Sequence, residues 1–526
     1  MAVLSSLPLG WLACAVAVAV LVRALYRARS GPLAQVPSAG LLAPVSRLAW
    51  AFPHELRGTI TLDLPKLHAR LGPLVRIGPT EVSYYSLDAY DVIHKAGSKF
   101  EKDPRVYGGF VQDGHPALFS ITDPVEHAQR RRLMGQLYNR SKVPLLEDLM
   151  LNHIGHWTRC IAQSPRAVDL PVSCRALEAD IISHFSFGST IGAIDAWAAG
   201  RELAMVAKND ELASWMPVIT NLPGLWSRLE YFQRLLAAAT PYQPALYCGL
   251  DGFVEWSQRA FDMAMKGKTE PDPSVPGFPN LIETLVRSGL PLLTALGEAK
   301  ENMGPGTDTT SATLAHVLWA LAHNSSFQEE LFQDLQRIGF STDMASLEGV
   351  PRLTACVKEG IRWAGAAAAM LPRVVPPGGV ELHGTFLPEG TVLTSSPIWY
   401  LRDATAFPNP DEFNPYRWLT PDATALRQDA LRDKYYIPFS KGANICIGNH
   451  FAYLELFLSV SQAVRQFRIA VPGDGTPSPA LRARPTAGRW QPVSLPQRKE
   501  WVAAVVTDDL RVTMMLRTSK KQQWRS

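Results

Sequence analysis

The chain has 526 residues, 47% hydrophobic and 19% charged, a globular composition that can bury a large core and excludes a disordered or fibrous protein. A formal net charge of +4 over that length, with Lys and Arg not gathered among aromatic residues, argues against a nucleic-acid partner. The six cysteines (Cys14, Cys160, Cys174, Cys248, Cys356, Cys446) are scattered with no Cys-x-x-Cys pair, so they offer no zinc or dithiol motif and suit free thiols in a reducing compartment.

No charged side chain occurs before Arg23, and LGWLACAVAVAVLV (residues 9–22) is densely apolar. At about 1.5 Å rise per residue, ~20 helical residues cross a ~30 Å hydrocarbon core, so residues 1–29 are expected to hold one transmembrane helix. A cleaved signal peptide, the alternative, carries its basic residues ahead of the apolar run. Here Arg23, Arg27 and Arg29 follow it, which places the amino end in a lumen and the rest of the chain in the cytosol. GPLAQVPSAG (residues 31–40) reads as a stiff Pro/Gly hinge spanning 30–43. Residues 44–526 then form one large domain, since no repeat, low-complexity tract or Ser/Gly linker divides them.

Past the hinge, GPLVRIGPTEVSYY (72–85) reads as short strands broken by Gly-Pro turns. From about Pro124 to Glu359 apolar residues recur at three-to-four spacing, as in LLEDLMLNHIGHWTRCI (145–161) and ATLAHVLWALAHN (312–324), which predicts helices. Strand patterns return in VELHGTFLPEGTVL (380–393) and in WVAAVVTDDLRVTMMLR (501–517), the latter expected as a hairpin. The fold class is therefore mainly α with small β-sheets, and such bodies hold cofactors between packed helices.

Several segments carry chemistry-bearing residues. EHAQRRR (126–132) is a basic helical run, ordinarily a solvated face. GPGTDTTSATL (304–314) reads by itself as a helix start, with Pro305, Gly306, Thr307 and Asp308 in the first turn. KEGIR puts Glu359 and Arg362 on one helix face, a pair worth a few tenths of a kcal/mol if exposed. PFSKGANICIGNHFAYLEL (438–456) sets Cys446 between Gly442 and Gly448 ahead of a helical run. A thiolate there could ligate iron or attack carbon, and backbone N–H groups and the following helix N-terminus could lower its pKa.

Phe439-x-x-Gly442-x-x-x-Cys446-x-Gly448 resembles the haem-binding loop of the cytochrome P-450 family. The resemblance extends in order through EHAQRRR, GPGTDTTSATL, KEGIR, FNPYRW with Arg417, and the apolar amino terminus, nearly the whole chain, with the texture of fungal microsomal members in GPLVRIGPTEVSY, FEKDPRVYGGF and DIISHFSFG. It implies haem held between a long distal helix and the cysteine-loop helix, with Cys446 as the axial thiolate. It further implies His127, Arg131 and Arg373 at the haem propionates, with Phe439, Gly442, Asn444 and Gly448 also in the cofactor site. The resemblance also implies that Glu359, Arg362 and Arg417 form a buried triad that fixes the cysteine loop, and that Thr309 and Asp308 serve oxygen activation and proton supply, with Pro305 and Gly306 breaking the distal helix to open a groove. By the same resemblance Tyr107, Phe110, Asn302, Met303, Ala367, Ala368, Leu371 and Val502 would line a substrate pocket. The sequence departs from the family pattern at Asn444, usually Arg or His, and at Pro305, usually Ala or Gly.

The function implied is a membrane-anchored monooxygenase of the endoplasmic reticulum, single-pass with a cytosolic catalytic domain, acting on an apolar small molecule such as a terpenoid or polyketide intermediate of secondary metabolism. Electrons would come from NADPH through a cytochrome reductase docked near Arg130, Arg132 and Lys441. A haem-thiolate isomerase or dehydratase that does not use O2, and a non-catalytic haem-binding protein, are the alternatives.

Overall fold

A computed structural model of the chain describes residues 9–164, 167–241, 244–265, 280–472 and 490–517. The first eight residues of the expected anchor and the last nine of the expected large domain lie outside them. Helix α1 (Leu9–Ser30) forms from the uncharged apolar run, and its side chains stand open, Trp11 at 69% and Val20 at 62%. Among the described residues it is the one helix long and apolar enough to cross a membrane.

The expected hinge is docked on the body. Leu33, Val36 and Ala43 are buried, the Ala39 N–H donates to the Arg76 carbonyl, and the Arg76 N–H donates to Pro37. The Arg76 guanidinium donates to the carbonyls of Ala28, Leu33, Gly78 and Pro79. A buried guanidinium with no carboxylate beside it satisfies its donors on backbone, and here that ties the end of α1 to the first sheet.

In chain order the amino-terminal sheet takes β1 (Leu74–Arg76), β2 (Glu81–Tyr84), β3 (Glu101–Lys102) and β4 (Arg373–Val374). A separate hairpin of β5 (Val380–Leu382) and β6 (Thr385–Leu387) follows, and β7 (Val392–Thr394) returns to the sheet, whose order is β1-β2-β7-β4-β3. Only β2 and β7 run parallel. The hairpin expected over 501–517 is not formed. Instead β9 (Arg498–Glu500) turns through Trp501–Ala503 onto β10 (Ala504–Val506), while β11 (Arg511–Leu516) pairs with β8 (Phe467–Ala470) and with Val168–Asp169. The turn residues were read as the start of a strand because Trp501 and Val502 continue its apolar pattern.

The helical body is built on α2 (Pro124–Tyr138), α3 (Leu170–Phe187), α4 (Ala204–Asn221), α5 (Leu292–Ala322), α6 (Pro351–Ala364) and α7 (Asn449–Gln466). Asp123 and Asp169 cap α2 and α3 through side-chain oxygens, each followed by proline at the first turn. Helix α5 packs on α3, α6 and α7 and supplies the centre of one large core through Leu314, Val317, Leu318 and Leu321. It runs through Pro305 without interruption, which overturns both the helix start read at 304–308 and the expected break. Gly306 serves packing: a Cβ there would meet the Ile182 side chain at 2.6 Å, so α5 and α3 approach closely at this point.

Candidate active site

Cys446 lies in the turn between the short helix Gly442–Asn444 and α7, with its N–H donated to the Phe439 carbonyl at 2.9 Å. It is solvent-accessible, although protein atoms crowd around the thiol. Burial raises the thiol above its usual range, against the Gly448 N–H and Arg131, which lower it. The expected depression of the pKa is thus not supplied by protein groups alone; a bound metal cation would supply it. Gly442 has φ +65°, and a Cβ there would fall 2.0 Å from the His94 carbonyl oxygen, so no other residue fits. Gly448 has an ordinary φ of −81°, and an added Cβ would make only contacts of 3.9 Å within the chain. Phe439 is half-buried beside Tyr453.

Beside this loop lies a cavity of about 350 Å³ walled by residues 93–102, 121–132 and 443–444. His127 and Arg131 line it from α2, Lys102 from β3 and Asn444 from the cysteine loop. Arg131 donates to the Ile445 carbonyl at 2.7 Å, and Arg373 donates to the Tyr107 hydroxyl at 2.8 Å. Burial, then Lys102, Arg131 and Arg373, push His127 down to about 4, while burial and Arg373 push Lys102 down to about 7. Among the described residues none of Lys102, Arg131 and Arg373 forms an ion pair with a carboxylate, and the neutral His127 keeps a ring N–H to donate, an arrangement that two propionates would complete. A soft sulfur donor and unpaired cations around one cavity fit iron protoporphyrin. Lys102 was missed in the sequence, because only its pairing in β3 turns it inward.

Glu359 is fully buried at the centre of the triad. Its two oxygens accept from Arg362 at 2.9 Å each, from Arg417 at 2.8 Å, and from the Trp418 indole and the Asn414 N–H at 2.9 Å. Burial would raise this carboxyl, but Arg362 and Arg417 hold it below its usual range. Arg362 and Arg417 spend their other donors on carbonyls between Leu401 and Glu412. The triad therefore pins that segment, and contact with the stretch before the cysteine loop runs through Arg432, which donates to the Arg417 carbonyl, and Tyr436, which donates to Lys358.

On α5, Pro305 is exposed at mid-helix between the half-buried Gly304 and Gly306, and the Thr309 hydroxyl donates to its carbonyl at 2.8 Å. Asp308 turns toward α3 and α4, accepting from Asn209 at 3.3 Å with Arg175 at 3.9 Å. Burial, resisted by Arg175, pushes it up to about 6. His316 packs edge-on against Trp363 of α6 with its Nδ1 on the Ala312 carbonyl.

A second, smaller cavity of about 100 Å³ is lined by Tyr107, Phe110 and Val502, together with Phe119, Met216 and Met370. Asn302 does not reach it, being held by Tyr138 and Ser186, and Met303 and Ala368 are buried in the core. Ala367 is exposed and Leu371 half-buried, neither in this lining. Arg130, expected at a docking face, is buried on Glu298, and Lys441 pairs with Asp91, which leaves Arg132 exposed.

The cytochrome P450 family model, written here as P-450, matches residues 48–487. The chain belongs to the cytochrome P-450 family. Its relatives include the P-450 monooxygenase macH of Penicillium terrestre, 29% identical over 90% of this chain and 94% of that one. The P-450 monooxygenase sol6 of Alternaria solani is 28% identical over 85% and 96%, and the tryptophan 6-hydroxylase fscE of Fusarium equiseti 26% over 84% and 87%. This P-450 is accordingly an oxidoreductase of the monooxygenase type, mostly helical with small sheets.

Proposed function

We propose that this P-450 is anchored in the endoplasmic reticulum membrane by α1 and inserts one oxygen atom from O2 into an apolar small molecule of secondary metabolism, terpenoid or polyketide-like, with electrons from NADPH through a cytochrome reductase. The observation that carries the reading is the accessible Cys446 beside a cavity whose cations have no anionic partner. Haem bound there supplies the redox and O2 chemistry. Cys446 would be its sulfur ligand, and His127, Arg131 and Arg373 would hold its propionates. Thr309 keeps a hydroxyl on the accessible stretch of α5. Asp308, titrating at about 6, can hold or release a proton near neutrality from its place beside Asn209 and Arg175. The second cavity offers an apolar wall of Tyr107, Phe110, Phe119, Met216, Met370 and Val502, which suits an apolar substrate, with charged residues such as Arg47, Glu81 and Arg105 on its other side. The neighbouring acid and hydroxyl disfavour an isomerase that needs no proton supply.

Cys446→Ser removes the soft ligand. The reduced variant with carbon monoxide is expected to lose the far-red-shifted Soret band of a thiolate-ligated haem, and product formation with it. Normal turnover by this variant would overturn the assignment.

A further inference from the structure

Lys102 is 6% exposed on β3, where the sheet borders the cofactor cavity. Its Nζ donates to the carbonyls of Leu118 at 3.1 Å and Phe119 at 2.8 Å, and lies 5.3 Å from the Tyr107 ring centre. An ammonium has three donors, so these two bonds leave one for an occupant of the cavity. Of the nearby acids, Glu298 accepts from Arg130, Glu301 accepts through Oε1 from the N–H groups of Phe119 and Ser120 while its Oε2 is buried without a partner, and Glu101 is exposed at the rim; none of them forms an ion pair with Lys102. A buried ammonium without a counter-charge is costly, and its depressed pKa records that cost. Asn444 on the facing loop brings no charge, and its Oδ1 is buried without a hydrogen-bond partner.

We propose that Lys102 is a carboxylate-binding residue of the cofactor site, supplying from β3 the cation that Asn444 does not supply from the cysteine loop. The proposal rests on the haem reading above. Lys102 binds a propionate directly, Arg131 meets the remaining negative charge, and the neutral His127 donates a hydrogen bond.

The test is the rate of haem transfer to apomyoglobin from the full-length holoprotein. Lys102→Gln is expected to lose haem about tenfold faster than the parent, the size of one charge-assisted hydrogen bond, and Lys102→Arg within about twofold. The double variant Lys102→Gln, Asn444→Arg is expected to return toward the parent rate. With iron protoporphyrin dimethyl ester, which has no carboxylates, parent and Lys102→Gln should lose the cofactor equally fast. Equal rates with native haem overturn the proposal. So does a gap that persists with the ester, since Lys102 would then act only by tying Leu118 and Phe119. If circular dichroism shows Lys102→Gln unfolded, Lys102→Met, which keeps the stem over the Tyr107 ring, is read instead. The carbon-monoxide Soret band should not move in any of them; its absence from the parent would overturn the haem reading rather than the role of Lys102.

Discussion

Gly442 shows how much one position can constrain the site. Its positive φ and the His94 carbonyl 2.0 Å from a would-be Cβ leave room only for hydrogen. Gly442→Ala must both strain the backbone and push the cysteine loop off the helix that ends at His94, at a cost of about 1–3 kcal/mol or more. The expected outcome is a lower urea midpoint and reduced haem content; an unchanged midpoint would show that the loop is looser than this packing implies. That glycine was legible from its motif, since the spacing to Cys446 is local. Arg130 was not, although a signal existed: His127, Arg130, Met134 and Leu137 recur at three-to-four spacing and are all buried, so the basic run has an inner face. Lys102 left no such signal, because its inward turn depends on a partner strand about 270 residues away.

Helix α5 gathers the site's polar chemistry onto one element. Before Pro305 it carries Glu298, bonded to Arg130, Lys300, paired with Asp113, and Glu301, whose Oε1 accepts from Phe119 and Ser120. These contacts tie the loop that walls the second cavity. Burial pushes Glu301 from 4.5 up to about 7. A carboxyl raised in the folded state contributes stability that is complete below pH 4.5 and is lost as pH rises through 7. The loss is on the order of 3 kcal/mol. Glu301→Gln should flatten the dependence of the unfolding midpoint on pH between 5 and 8; a parallel fall in both proteins would assign the slope to another group. The sequence disclosed α5 through its apolar spacing at 312–324 but not its extent, since a proline after a glycine ordinarily marks a helix start, and only burial against α3 and α7 carries the helix through it.

At the scale of the whole molecule, motif order along the chain disclosed the architecture, while strand pairing near the carboxyl end escaped because Arg511–Leu516 finds its partners at Phe467–Ala470 and Val168–Asp169. The amino terminus carries a testable division of labour. Deleting residues 1–24 should move the protein from the membrane pellet to the carbonate-soluble fraction with its haem retained, since every residue of the cofactor cavity lies beyond position 92. Protein that stays wholly in the pellet would mean that a second surface holds the bilayer.

The docking of residues 31–43 adds a mechanical consequence. With Arg76 gripping the carbonyls of Ala28 and Leu33 from inside the sheet, torque on the apolar rod passes straight into the strand next to β2 instead of dissipating in a slack tether. With α1 held in a bilayer, a tilt of the rod would be passed through these bonds to β1, whose sheet neighbour β2 carries Glu81 into the wall of the second cavity.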